Sequence, residues 1–149
     1  MAVIRITKEF RFEMAHALMG YDGPCRNIHG HSYELKVTVK GEPIVGKDHP
    51  KQGMVMDFGD LKRIVRSEII DIFDHALVLN QDMDQQAIRL LDQNFEKIIL
   101  LHYQPTSELM VTDFAARIRS RLPAGIELVS LLLRETATSY AEWLADEQL

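Results

Sequence analysis

The chain has 149 residues, a formal net charge of −5 and a single cysteine, with 46% hydrophobic and 26% charged residues. This is the size and balance of one globular domain, residues 1–149, long enough to bury a core. The charge, with no basic cluster to offset it, argues against nucleic-acid binding by phosphate neutralisation, the apolar run Leu128 to Leu133 is too short for a membrane helix, and one thiol excludes an intrachain disulfide framework. With no signal-peptide pattern in Met1–Phe10, a cytoplasmic protein is expected.

The first predicted element is a strand ending at His16. Ile4, Ile6, Phe10, Phe12, Met14 and His16 share one parity, and mostly charged residues fill the other. The loop that follows carries Gly20, Gly23, Pro24 and Cys25 and is long for a hairpin, a length often tied to function. In Cys25-Arg-Asn-Ile-His29-Gly-His31 two imidazoles stand two residues apart, so an extended backbone points both to one face. The strand His31–Gly41 continues that parity through Tyr33, Leu35, Val37 and Val39. Both strands thus lead their buried face into histidine. His16, His29 and His31 are the candidate metal ligands, since three imidazoles with an open fourth position match catalytic zinc. The competing reading is three part-buried histidines bonded to backbone carbonyls.

A Gly-, Pro- and Lys-rich loop, Glu42–Met54, holds His49, read as solvated. Asp57 caps a predicted helix from Phe58 to Phe73, with Leu61, Ile64, Val65, Ile69, Ile72 and Phe73 as its apolar stripe. Asp74-His75 ends that helix. A short helix over Met83–Asn94 and a short strand over Lys97–His102 follow. Pro105-Thr106 opens a second long helix reaching Leu122, with Met110, Val111, Phe114, Ala115, Ile118 and Leu122 inward. Pro123 and Gly125 end it, and Ile126–Thr136 reads as a strand. The order predicts an α+β fold, an antiparallel sheet with two amphipathic helices on one face. Apolar residues on both parities of the last strand, Leu128 and Leu132 against Val129, Leu131 and Leu133, predict a partner subunit on the second face.

Three further positions bear on chemistry. Cys25 reads as an inert loop residue, as a fourth ligand closing a structural Cys-His₃ site, or as a thiolate base or nucleophile beside the metal. Asp74 and His75 make either a proton-transfer unit or a helix end in which the imidazole meets the dipole. Glu135 places a carboxylate at the end of an apolar row, where it needs adjacent N–H donors from a ligand or a salt-bridge partner.

The chain resembles the 6-pyruvoyltetrahydropterin and 6-carboxytetrahydropterin synthase family. The matching residues are Phe10-x-Phe12 with Ala15-His16, Cys25-x-x-x-His29-Gly-His31, Asp57-Phe58-Gly59-Asp60-Leu61-Lys62, Asp74-His75, Pro105-Thr106-Ser107-Glu108 and Glu135-Thr136, in the family's order along nearly the full length. The resemblance implies a tunnelling fold (T-fold) whose subunits form a barrel-like homohexamer of two trimers, with active sites at subunit interfaces. It implies that His16, His29 and His31 bind Zn²⁺, that Cys25, Asp74 and His75 carry protons across an interface, and that Glu135 anchors the pterin ring with Thr106 and Glu108 near its pocket. The three residues between Cys25 and His29 resemble the bacterial 6-carboxytetrahydropterin synthases of queuosine biosynthesis. The implied reaction takes 7,8-dihydroneopterin triphosphate to 6-carboxytetrahydropterin, acetaldehyde and triphosphate, without contact with nucleic acid or membrane. One alternative is a 6-pyruvoyltetrahydropterin synthase, which eliminates triphosphate and keeps the carbon chain. The other is a non-catalytic, zinc-stabilised binding protein. The segment from Gln81 to Gln104 is longer than in compact family members.

Overall fold

The computed structural model describes residues 2–149. One six-stranded sheet has the order β4 (Ile98–Leu101), β3 (Ala76–Asn80), β1 (Ile4–His16), β2 (His29–Gly41), β5 (Glu127–Thr136), β6 (Ser139–Leu144). Strands β1 (Ile4–His16) and β2 (His29–Gly41) form a thirteen-residue antiparallel ladder from Ile4↔Gly41 to His16↔His29. Alternation decides which face is buried. Phe12, Met14, Tyr33, Leu35, Val37 and Val39 pack inward. On the outer face Glu9 opposes Lys36, Arg11 opposes Glu34 and Thr7 opposes Thr38, with the threonine hydroxyls 2.7 Å apart. Complementary cross-strand pairs of this kind let a polar face form without a cover.

The helices lie against the inner face. Asp57 caps α1 (Phe58–Val65) by accepting the Gly59 amide at 2.7 Å. The predicted continuous helix contains a π-helical turn, Arg66–Ile70, before α2 (Asp71–Phe73). That turn inserts a residue and rotates the stripe, so Ile70 is buried while Ile72 is only half-buried. Helix α4 (Ser107–Arg119) lays Met110, Phe114 and Ile118 on the sheet, with Phe114 edge-on to Phe12 at 6.3 Å. Tyr103 donates to Asp113, which also accepts from Arg117 Nε at 2.9 Å, and Arg117 reaches the Glu68 carbonyl of the π turn. Among the described residues no helix is long and apolar enough to cross a membrane.

The sheet departs from expectation in being mixed. After α2 the chain enters β3 (Ala76–Asn80), which runs parallel to β1 through Met14↔Ala76 and His16↔Val78, and β4 (Ile98–Leu101) runs parallel to β3. Parallel strands read as unbroken apolar runs, and Ala76-Leu-Val-Leu shows no alternation to reveal it. Helix α3 (Gln85–Asn94) makes the crossover between them, capped by Asp84 and burying only Ile88. At the other edge, β5 (Glu127–Thr136) turns back into β6 (Ser139–Leu144), which also lay outside the predicted elements.

Strand β5 carries a bulge that bears on its doubly apolar pattern. Its ladder with β2 slips between Thr38 and Val39, where Ser130 pairs with Thr38 but Leu128 pairs with Val39. The extra residue, Val129, is a bulge that returns Leu128 to the inner face with Leu131 and Leu133. Much of the double-sided apolar pattern is therefore this register shift, and it does not by itself require a partner subunit.

Candidate active site

The ends of β1 and β2 form the centre of the site. His16 and His29 are directly paired across the ladder and His31 lies two residues on, opposite Met14. The ligand atoms of the three imidazoles lie within 4.8 Å of one another. His16 Nδ1 donates to the Pro105 carbonyl at 2.8 Å and His29 Nδ1 to the Asn27 carbonyl at 2.7 Å. With hydrogens on those nitrogens, the two Nε2 atoms meet lone pair to lone pair at 3.1 Å. His31 Nε2 is buried with no hydrogen-bond partner. Burial holds the His16 and His31 imidazoles below their ordinary pKa, against the opposing pull of Glu135, and so favours the neutral form that coordinates a metal.

Converging lone pairs and an orphaned buried nitrogen fit a bound metal ion, because an ion satisfies all three atoms at once. The carbonyl-bonded reading accounts for Nδ1 of His16 and His29 but leaves the Nε2 atoms unexplained. The carbonyls of Pro105 and Asn27 orient the His16 and His29 rings, and both escape a sequence reading because a backbone oxygen has no residue-type signature.

Glu135 stands beside this cluster. Its Oε1 lies 3.4 Å from His16 Nε2 and 3.6 Å from His31 Nε2, and it accepts from the Tyr33 hydroxyl at 3.4 Å. Burial first, then the charge and hydrogen bond of Glu135, push the Tyr33 hydroxyl far above its ordinary pKa. Tyr33 therefore stays protonated and serves as a donor to the carboxylate.

Cys25 sits in a 3₁₀ turn, Pro24–Arg26, half-buried, and is outside the three-ligand cluster among the described residues. Its loop is tied down at two points. The Cys25 carbonyl accepts the Leu18 amide at 2.9 Å, and the Gln104 side chain accepts from Met19 N at 3.2 Å while donating to Met19 O at 2.7 Å. Gln104 is a site-supporting residue that sequence reasoning missed, since its partner lies 85 positions away.

Asp74 and His75 meet, with Nδ1 3.0 Å from Oδ1, and both hold on to β1. Asp74 Oδ1 accepts the Glu13 amide at 2.9 Å, and the His75 amide donates to the Glu13 carbonyl at 2.6 Å. Burial would raise the Asp74 pKa, but the Glu13 amide, His75 and Lys97 together hold it below its ordinary value. His75 has φ of 62°, the one positive value at a non-glycine among the described residues, at a cost of about 1–2 kcal/mol. Its exposed ring borders a groove of about 1030 Å³ with Glu13, Ala15, Gly30 and Ser32 of the outer sheet face. Cys25 does not line that groove.

Thr106 caps α4, its hydroxyl accepting the Leu109 amide at 3.3 Å, and Glu108 is exposed on the first turn. Between them Ser107 is buried with an unpartnered hydroxyl. His49 is solvent-exposed, as expected.

A family model described as 6-pyruvoyl tetrahydropterin synthase matches residues 5–146. The 6-carboxy-5,6,7,8-tetrahydropterin synthase of Haemophilus influenzae is 38% identical over 145 residues, spanning 95% of this chain and 99% of that protein. The protein of the same name from Rickettsia felis is 30% identical over 142 residues, spanning 94% and 99%. In three dimensions the 6-pyruvoyl tetrahydropterin synthase of Caenorhabditis elegans superposes with a TM-score of 0.68 at 24% identity, covering 97% of each chain. Matched along almost its whole length in sequence and in fold, the chain belongs to the 6-pyruvoyl tetrahydropterin synthase family.

Proposed function

We propose that this protein is a zinc-dependent carbon–carbon lyase that converts 7,8-dihydroneopterin triphosphate and water to 6-carboxy-5,6,7,8-tetrahydropterin, acetaldehyde and triphosphate, a cytoplasmic step toward queuosine and related 7-deazapurines. The observation that carries it is the convergence of His16, His29 and His31 with an unsatisfied buried Nε2. The choice of reaction follows the Haemophilus influenzae relative and the three-residue gap before His29.

His16, His29 and His31 would hold the ion, whose Lewis acidity stabilises negative charge on the substrate's side-chain oxygens. Cys25, as thiolate, takes the proton from the neighbouring side-chain carbon. His75, oriented by Asp74, passes protons as triphosphate leaves and the carbon–carbon bond breaks. Glu135 accepts the adjacent N–H donors of the pterin ring, with Tyr33 protonated behind it. Thr106 and Glu108 border the ring pocket in this reading. Because Asp74–His75 lies on a groove that Cys25 does not line, the reading has a second subunit of a homohexamer, built as two trimers, complete each site.

Incubating the zinc-loaded protein with 7,8-dihydroneopterin triphosphate and analysing products by mass spectrometry tests it. Detection of 6-carboxytetrahydropterin with acetaldehyde supports the lyase. Formation of 6-pyruvoyltetrahydropterin without acetaldehyde moves the protein to the triphosphate-eliminating branch, and absence of turnover at full metal content leaves a zinc-stabilised binding protein.

A further inference from the structure

Apart from Gln104, the Gln81–Gln104 segment has no part in the site described above, yet it carries Lys97 to the Asp74–His75 pair. Lys97 Nζ donates to two carbonyls, Asp71 O at 2.8 Å and Asp74 O at 2.7 Å. Both belong to the end of α2, where carbonyls lack intrahelical partners and a lysine ammonium is a natural cap. The second bond has a particular geometric effect. The Asp74 carbonyl belongs to the peptide unit whose amide is that of His75, and this amide donates to Glu13 O at 2.6 Å. One peptide plane is therefore gripped at both ends, by Lys97 on its oxygen and by β1 on its nitrogen. A gripped plane fixes Asp74 ψ at 128° and His75 φ at 62°, a positive φ that few non-glycine residues adopt. Lys97 is itself anchored, since its carbonyl accepts the Leu77 amide at 3.0 Å and the next residue, Ile98, pairs with Leu77 in the β3–β4 ladder.

We infer that Lys97 is a positioning residue for the Asp74–His75 pair, holding the peptide between them so that the His75 ring stays against Asp74 and over the outer groove. This rests on the reading of that pair as the proton-transfer unit. It also assigns the long Gln81–Gln104 segment a task, the delivery of a cation to the back of the pair.

The test compares Lys97→Met and Lys97→Arg with wild type as zinc-loaded full-length proteins, by amide hydrogen exchange at His75 and by steady-state kinetics. In Lys97→Met the His75 amide exchanges faster by about tenfold, and kcat falls by about tenfold with KM and zinc content held. Lys97→Arg, which keeps a cationic donor, recovers most of both. Unchanged kcat in Lys97→Met overturns the inference even if the melting temperature drops, because that pattern marks a merely structural cap. Wild-type protein without turnover overturns the lyase reading whatever the variants do. The exchange measurement needs no substrate and then decides alone whether Lys97 holds the pair.

Discussion

Replacing His31 with leucine should make the protein more stable than wild type without metal and less stable than wild type with it. The His31 side chain is 18% exposed, its Nε2 is buried without a partner, and Glu135 Oε1 at 3.6 Å is beyond hydrogen-bonding distance. A buried polar atom left unmatched costs about 1–3 kcal/mol, and the ring's partial exposure puts this site near the lower end, about 1 kcal/mol. Leucine has similar bulk and can keep the contacts that His31 makes with the rings of His16 and Tyr33, at 5.2 and 5.6 Å. The metal-free variant should therefore melt about 2–4 °C above metal-free wild type, the shift expected per kcal/mol for a chain of this size. Zinc at one hundred times its Kd stabilises wild type by about 2.7 kcal/mol, or about 5–11 °C, and should leave the variant unmoved. Calorimetry near neutral pH, first with chelator and then with zinc, reads both numbers. A metal-free variant less stable than wild type would show that His31 Nε2 is satisfied without metal, and an undiminished zinc shift would remove His31 from the ligand set.

Cys25→Ala should keep its zinc by elemental analysis while kcat falls by about 10²–10⁴-fold, because Cys25 lies outside the ligand cluster; loss of zinc would instead mark a closed Cys-His₃ site. His75→Asn, which tolerates the left-handed backbone, should unfold in urea within about 0.5 kcal/mol of wild type yet lose turnover by a similar factor of about 10²–10⁴. Gln104→Ala releases both Met19 bonds, so limited proteolysis should cut the Cys25 loop faster while zinc content holds. Asp74→Asn should narrow its stability gap to wild type in acid. A carboxylate whose folded-state pKa is depressed stabilises fully above its unfolded value of about 3.9 and loses that contribution as pH falls through the folded value, so the gap closes below about pH 4.

Local chemistry makes much of this protein legible in its sequence. Alternation along Ile4–His16 and His29–Gly41 marks the buried face of each strand, and a parity argument suffices to aim three imidazoles at one point. Caps are equally local, and Asp57 and Thr106 start their helices at the residues that their side chains dictate. The stretch from Phe58 to Phe73 does not run as one regular helix, because a π turn depends on how Ile70 and Phe73 pack and on Arg117 meeting the Glu68 carbonyl. The remaining features depend on groups far apart in sequence. Parallel pairing of β3 with β1 sets Asp74–His75 beside Glu13, the Val129 bulge turns Leu128 inward, Pro105 and Gln104 reach back to His16 and Met19, and Lys97 closes on the end of α2. Backbone carbonyls, bulges and long-range amide clasps have no periodicity and no residue-type signature; they exist only once the sheet has closed and brought their partners within a hydrogen bond of each other.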